Sequence, residues 1–222
     1  MNLELYKKEQ IALSKKVILK DAIDLEKVRF VAGVDLTYLD IWKRSTVGIS
    51  CAVVVDIKND FDVVGVEYAK KQVDFPYVPT FLAYRELPLV LEVYKKIGLN
   101  IDVFMLDGMG IMHPRRMGIA SHFGVIADCV SVGCAKSYLT GEYKEPKNKK
   151  LSFEEVSMDG EIIGYALRSK VNTKPIFISP GNKISCSGAL KVAMMCLNGY
   201  RIPEPTRLAH NYLQIYRKKL LK

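Results

Sequence analysis

Leu3, Tyr6, Leu13, Val17 and Leu19 recur among lysines and acids at roughly helical spacing, so the first ~20 residues predict an amphipathic helix with a solvated basic face. Three β-rich runs follow: Arg29 to Thr37, Thr46 to Ile57 and Asp62 to Val73. Their connections, Leu39 to Lys43 and Lys58 to Asp60, are short and polar, as antiparallel neighbours require, so these runs predict a three-stranded meander. After Phe75-Pro76-Tyr77-Val78-Pro79 the pattern turns helical from about Phe81 to Ile97, and Pro88, which lacks an N–H, is expected to begin a new turn. Asp102 to Asp107 reads as a short buried strand, Gly108 to Gly118 as a glycine-rich loop, the stretch to about Asp128 as a helix, and Val130 to Ala135 as a second buried strand. Strand, helix, strand in that order implies a right-handed parallel crossover. Glu161 to Leu167 and Pro175 to Ser179 read as strands, Gly188 to Leu197 and Pro205 to Leu221 as helices, and lysine-rich Tyr143 to Lys150 as a surface loop.

That element order matches a ribonuclease H-like α/β fold, a mixed sheet of three antiparallel strands then parallel strands, with helices on both faces. By itself such a fold specifies no chemistry. No repeat, low-complexity run or long linker divides the chain, so residues 1–222 are expected to form one domain. The hydrophobic fraction of 49% and charged fraction of 26% exclude a disordered or collagen-like chain. The charge changes the picture more: 33 Lys+Arg against 24 Asp+Glu leave +9, which favours a polyanionic partner. The strongest apolar stretch, Ile49 to Val55, stops at Asp56, far short of the ~20 residues that cross a bilayer, and the start carries no secretory pattern. A soluble cytoplasmic protein with no membrane association is expected. Cys51, Cys129, Cys134, Cys186 and Cys196 are odd in number and form no C-x-x-C pair, so reduced, mostly buried thiols are expected.

The candidate chemistry lies in carboxylates. Asp35 ends the first strand and Asp107 ends the fourth, so pairing of those strands would bring both to one end of the sheet. Hard dications such as Mg2+ take oxygen ligands and keep several waters, which two or three such groups supply. Glu86, at the start of the helix over the sheet, is a third carboxylate, and His210 of the last helix a further polar arm. The plainer alternative for each alone is a turn former, a helix cap or a solvated side chain. In the loop Gly108-Met109-Gly110-Ile111-Met112-His113-Pro114-Arg115-Arg116, the glycines allow a ligand to approach bare backbone, while His113, Arg115 and Arg116 bring donors suited to a phosphate or a base.

At these residues the sequence resembles the endonuclease V family, the deoxyinosine-specific nucleases. The likeness runs through Val31-Ala32-Gly33-Val34-Asp35, Pro76-Tyr77-Val78-Pro79, Phe81-Leu82-Ala83-Tyr84-Arg85-Glu86-Leu87-Pro88, the glycine loop, Gly133-Cys134-Ala135-Lys136, Ser179-Pro180-Gly181 and Pro203-Glu204-Pro205-Thr206-Arg207. The resemblance implies hydrolysis, with Mg2+ or Mn2+, of the second phosphodiester bond 3′ to a deoxyinosine, leaving 3′-hydroxyl and 5′-phosphate ends. It implies that Asp35, Glu86 and Asp107 hold the metal, that His210 completes the site, and that Lys136 stands near the scissile phosphate. Tyr77 and Pro79 belong to the family's wedge, whose ring fills the space of an extruded base; without that resemblance the segment reads as a structural Pro-rich turn. Leu82, Gly108, Ile119, Ala135 and Leu139 correspond to the pocket for hypoxanthine, and His113 and Arg115 to lesion-binding donors. The implied partner is inosine-containing DNA, with inosine-containing RNA left open, and the implied state is a monomer.

Two departures stand out: Thr80 follows the wedge where the family commonly has Gly, and Asn182 follows Ser179-Pro180-Gly181 where His is usual. Met109 occupies a variable position in the glycine loop. Two other readings compete: a catalytically dispensable binder of inosine-containing or branched nucleic acid, and another enzyme of this fold such as a ribonuclease H or junction resolvase. Three clustered, mutually repelling carboxylates argue against a mere binder, and the wedge with the His113-Pro114-Arg115 loop argues against the other enzymes.

Overall fold

The computed structural model describes residues 2–40, 42–43 and 45–221. The meander is β1 (Phe30–Tyr38), β2 (Thr46–Asp56) and β3 (Asp62–Val73), antiparallel throughout, with Val34 facing Ala52 and Asp35 facing Cys51. Helix α2 (Leu82–Tyr94) leads into β4 (Val103–Leu106), which pairs parallel with β1, Val34 against Leu106. Helix α3 (Ile119–Ile126) then leads to β5 (Ser131–Ala135), parallel to β4. The fold class is as expected, but the sheet is larger. Strands β6 (Glu142–Tyr143), β7 (Ser152–Met158), β8 (Glu161–Arg168) and β9 (Ile176–Asn182) extend it as an antiparallel wing, in the order β3-β2-β1-β4-β5-β9-β8-β7-β6. Helices α4 (Cys186–Met195) and α5 (Glu204–Leu220) close the chain after the N-terminal α1 (Leu3–Ser14).

Alternation along the strands builds two cores. Val31, Ile49, Val53, Val103, Met105 and Val132 pack on one face against Leu190 and Val192 of α4 and Ala209 and Leu213 of α5. Ala32, Val34, Ala52, Phe104 and Leu106 point the other way, against Leu87, Val90 and Val93 of α2 and Phe123 of α3. The same alternation sends Asp35 to the α5 face.

Some expected boundaries move. The first helix stops at Ser14 because the chain is captured by the sheet: the backbone N–H of Ile18 donates to Asn182 Oδ1 at 3.0 Å. Pro88 does not start a new turn but sits inside α2, where burial of Leu87, Leu89, Val90 and Val93 outweighs the roughly 3 kcal/mol that an internal proline costs. Strand β7 was not expected; its core-facing position is Val156 alone, flanked by exposed and half-buried polar residues, so its alternation is weak. All five cysteines are free, three of them buried. No helix among the described residues is long and apolar enough to cross a membrane.

Candidate active site

The parallel pairing of β1 and β4 decides the site. Asp107 donates its backbone N–H to Val34 O at 3.1 Å, so Asp107, just past the end of β4, lies beside Asp35, which sits within β1 and not at its end as expected, because pairing with β2 carries β1 on to Tyr38. Lys136 follows β5 at the same end and pairs its ammonium with Asp107 Oδ2. From α5, His210 Nδ1 stands 2.8 Å from Asp35 Oδ2. An ionised carboxylate only accepts, so Nδ1 carries the proton and Nε2 is left as an acceptor. Glu86 comes from α2 on the opposite face and completes the group.

The electrostatics are those of crowded acids. Burial, then the charge of Asp107, holds the Asp35 carboxyl above its usual range, against the opposing His210 hydrogen bond. Burial and the charges of Asp107 and Asp35 push Glu86 up to about 8. Burial draws the Lys136 ammonium down, but Asp107 outweighs it and the net direction is up. Crowded acids out of water either keep their protons or take a cation in exchange for them. Among the described residues no three His, Cys, Asp or Glu side chains close into a cage. Mg2+ does not need one: it takes one or two carboxylates and keeps its waters, so Asp35 and Asp107, both hard oxygen donors, fit it or Mn2+.

Stability has a corresponding pH dependence. Without a dication, Glu86 keeps its proton to about pH 8 in the folded protein but only to its ordinary 4.5 when unfolded. The folded state therefore binds more protons across that window, and stability present below pH 4.5 is lost as pH rises toward 8. In chelator, melting temperatures at pH 5.5 and pH 8 should differ more for the wild type than for Glu86→Gln, by roughly 2–4 °C per kcal/mol. Identical differences would mean that Glu86 titrates normally.

Beside the carboxylates opens a cavity of about 270 Å³. Every pocket residue expected from sequence, Leu82, Gly108, Ile119, Ala135 and Leu139, lines it, together with Tyr77, Pro79, Thr80 and His113, and Glu86 and Asp107 form its inner edge. Met109, Met117 and Tyr138, unassigned in the sequence, line it too. Tyr77 is 49% exposed at the rim, free to meet a ligand. A larger groove of about 670 Å³ lies at the other end of the parallel strands, between Asp102, Val130 and Lys183, and holds none of these groups.

The arginines of the loop spend donors within the protein. Arg115 points inward: its Nε donates to Gln10 Oε1 at 2.6 Å, and its Nη2 to Thr80 O at 2.7 Å and Thr80 Oγ1 at 2.8 Å. Arg116 Nη2 reaches Met158 O and Glu161 Oε2, each at 3.1 Å, away from the cavity. His113 lines the cavity but is buried, its Nε2 donating to Thr80 O at 3.0 Å while Nδ1 accepts from Arg115 N at 3.2 Å. Burial and the Arg115 charge push its pKa down to about 4, so it is a neutral clamp at neutral pH. These bonds, with one from the fully buried Gln10 Nε2 at 3.2 Å, converge on Thr80 and hold it at a φ of 65°. That left-handed geometry explains why a glycine would be easier there. The second departure, Asn182, is structural as well: it is buried, with Nδ2 donating to Gly124 O at 2.8 Å and Cys129 O at 3.3 Å. Gln10 and its tie to the wedge loop left no trace in the sequence, since one polar residue on an amphipathic helix has no signature.

Paired acids on two adjacent parallel strands, a lysine after the next strand and a base-sized cavity alongside define a phosphodiester-cleaving enzyme of the ribonuclease H-like class. The endonuclease V family profile matches residues 11–211. Endonuclease V of Dictyoglomus turgidum is 42% identical over 214 residues, covering 96% of this chain and 89% of that protein. The crystal structure of the Bacillus subtilis endonuclease V superposes with a TM-score of 0.92 at 31% identity, covering 100% of this chain and 94% of that one. The Ciona intestinalis enzyme, solved with a 24-mer DNA containing an inosine followed by a ribo-adenosine, superposes at 0.83 with 29% identity and 98% coverage of both chains. The chain belongs to the endonuclease V family.

Proposed function

We propose that this chain is a divalent-metal-dependent endonuclease that recognises deoxyinosine in DNA and hydrolyses the second phosphodiester bond on its 3′ side, leaving 3′-hydroxyl and 5′-phosphate ends. The observation that carries the reading is that Glu86 and Asp107 belong both to the acidic cluster and to the wall of the base-sized cavity. A base held there places its own strand against the carboxylates. Asp35 and Asp107, with Glu86 beside them, would hold Mg2+ or Mn2+, which when bound would supply the positive charge that acidifies water and stabilises the departing oxygen. His210 fixes the Asp35 carboxylate through Nδ1–H and leaves Nε2 as a hydrogen-bond acceptor. The Lys136 ammonium, moored on Asp107, offsets charge gathering on the phosphate. In the cavity, backbone N–H donors would satisfy the O6 of hypoxanthine, an acceptor that adenine replaces with a donor; those of Gly108, Gly110 and Gly118 are already given to Leu106 O, Ser179 Oγ and Gly110 O, so the donors come from other residues of the wall. Tyr77 fills the gap that the extruded base leaves. The continuous sheet supports a chain that works as one unit, and the reading takes that unit as a monomer.

Cleavage mapping on end-labelled DNA and RNA oligonucleotides bearing a single inosine, with Mg2+ and with chelator, tests this directly. One metal-dependent cut, one bond beyond the nearest 3′ linkage, is the expected product. A cut independent of inosine would overturn the reading. For Tyr77→Ala, binding to inosine-containing duplex should weaken by about 1–3 kcal/mol, with unmodified duplex little affected; equal losses on both would assign Tyr77 a merely structural part.

A further inference from the structure

Glu86 has a second face. On the side away from the inosine cavity it borders a groove of about 470 Å³, lined also by Leu36, Tyr38, Asp40, Trp42 and Arg217. Trp42, the only tryptophan of the chain, is 85% exposed there. An indole so open to water is costly unless something covers it.

The loop that carries it is braced. Asp40 Oδ1 accepts from Trp42 N at 3.1 Å and from Lys43 N at 3.4 Å, and Asp40 N donates to Thr46 Oγ1 at 3.2 Å. Lys43 O accepts from Arg85 Nη2 at 3.2 Å. Arg85 is fully buried on α2 beside Glu86, lies over the Tyr38 ring at 4.3 Å, and sends its Nη1 to Phe75 O in the wedge loop. One guanidinium thus ties the Trp42 loop to the wedge loop, on either side of the acids. Across the groove, Arg217 of α5 has a buried Nε with no partner among the described residues. It is followed by Lys218 and Lys219 on the same helix end.

We propose that this groove is a second nucleobase site, taking a base of the cleaved strand on the far side of the scissile phosphate from the inosine, with Trp42 stacked on the base and Arg217 on the adjoining phosphate. The proposal rests on the inosine-nuclease reading above. Continuity chooses the occupant: a strand seated in the cavity and laid over Asp107 and Glu86 passes directly into the groove that shares Glu86. Charge confines the phosphate to one end: the Asp40 and Glu86 carboxylates line the groove too, so it is met at Arg217, whose buried Nε has no partner among the described residues. Aromatic stacking is indifferent to base identity, so the site grips any sequence and leaves selectivity to the inosine cavity.

Trp42 reports on its own occupancy. In chelator, titration with a single-inosine DNA oligonucleotide should quench its emission, and an abasic analogue placed two or three nucleotides 3′ to the inosine should abolish most of the quench. Trp42→Ala should weaken binding of the intact oligonucleotide roughly 5- to 150-fold, and Trp42→Phe should restore most of it. Arg217→Gln should weaken binding too and reduce the salt slope by about one. Unchanged emission at saturation, or Trp42→Ala binding within twofold of wild type, would overturn the proposal. If either occurs while wild type still prefers inosine over adenine, only the groove is refuted. Loss of that preference in wild type would refute the underlying reading instead.

Discussion

Asp107→Asn should reduce inosine-dependent cleavage by ~10³-fold or more while leaving binding of the inosine-containing strand within a few-fold of wild type. Asp107 does three things at once. It stands beside Asp35 through the Val34–Leu106 register, anchors the Lys136 ammonium, and edges the cavity. The amide keeps the volume, so neither cavity nor sheet need rearrange, but it removes the charge that fixes Lys136 and that, on the proposed function, would hold a dication. Binding survives because a polyanion gains from losing a repelling carboxylate. Single-turnover nicking of an end-labelled oligonucleotide, with binding measured in chelator, separates the two effects. Cleavage at wild-type rate would remove Asp107 from the chemistry. Parallel loss of binding would make it a structural residue.

Gly33→Ala should destabilise the fold and disable the site together. A Cβ on Gly33 would stand 2.0 Å from Pro205 O and 2.6 Å from Thr206 N. Both obstacles are backbone at the start of α5, so no side chain can swing aside. The helix must lift off β1, at a cost of about 1–3 kcal/mol or more. The melting temperature should fall by roughly 2–4 °C for each of those kcal/mol. The same lift draws His210 from Asp35, now 2.8 Å apart, so kcat should drop more than KM rises. A melting temperature within a degree of wild type would show that α5 is not seated on Gly33.

Much of the core was legible because burial forces periodicity. The meander, β4, β5 and the terminal helix follow from apolar runs of the right length, with boundaries shifted by a residue or two. The antiparallel wing was only half visible: β8 is a strong apolar strand, but β7 carries acids and serines at an edge where one face meets water. Pro88 misled because propensity is local and the packing of α2 is not.

At the site, residue type was informative and direction was not. Asp35, Glu86, Asp107 and His210 converge as their positions implied, Lys136 joins them where only the family resemblance had put it, and the pocket residues line one cavity. Arg115 and His113 carry the right groups for a ligand, yet turn inward to hold Thr80 and Gln10. The sequence alone determined which side chains are available and which strands must be buried, because hydrophobic pattern and donor chemistry are written residue by residue. Only the tertiary structure decided which of those groups face the ligand and which brace the loops, because a guanidinium's partners lie up to 105 positions away and are selected by chain packing, not by neighbours in sequence.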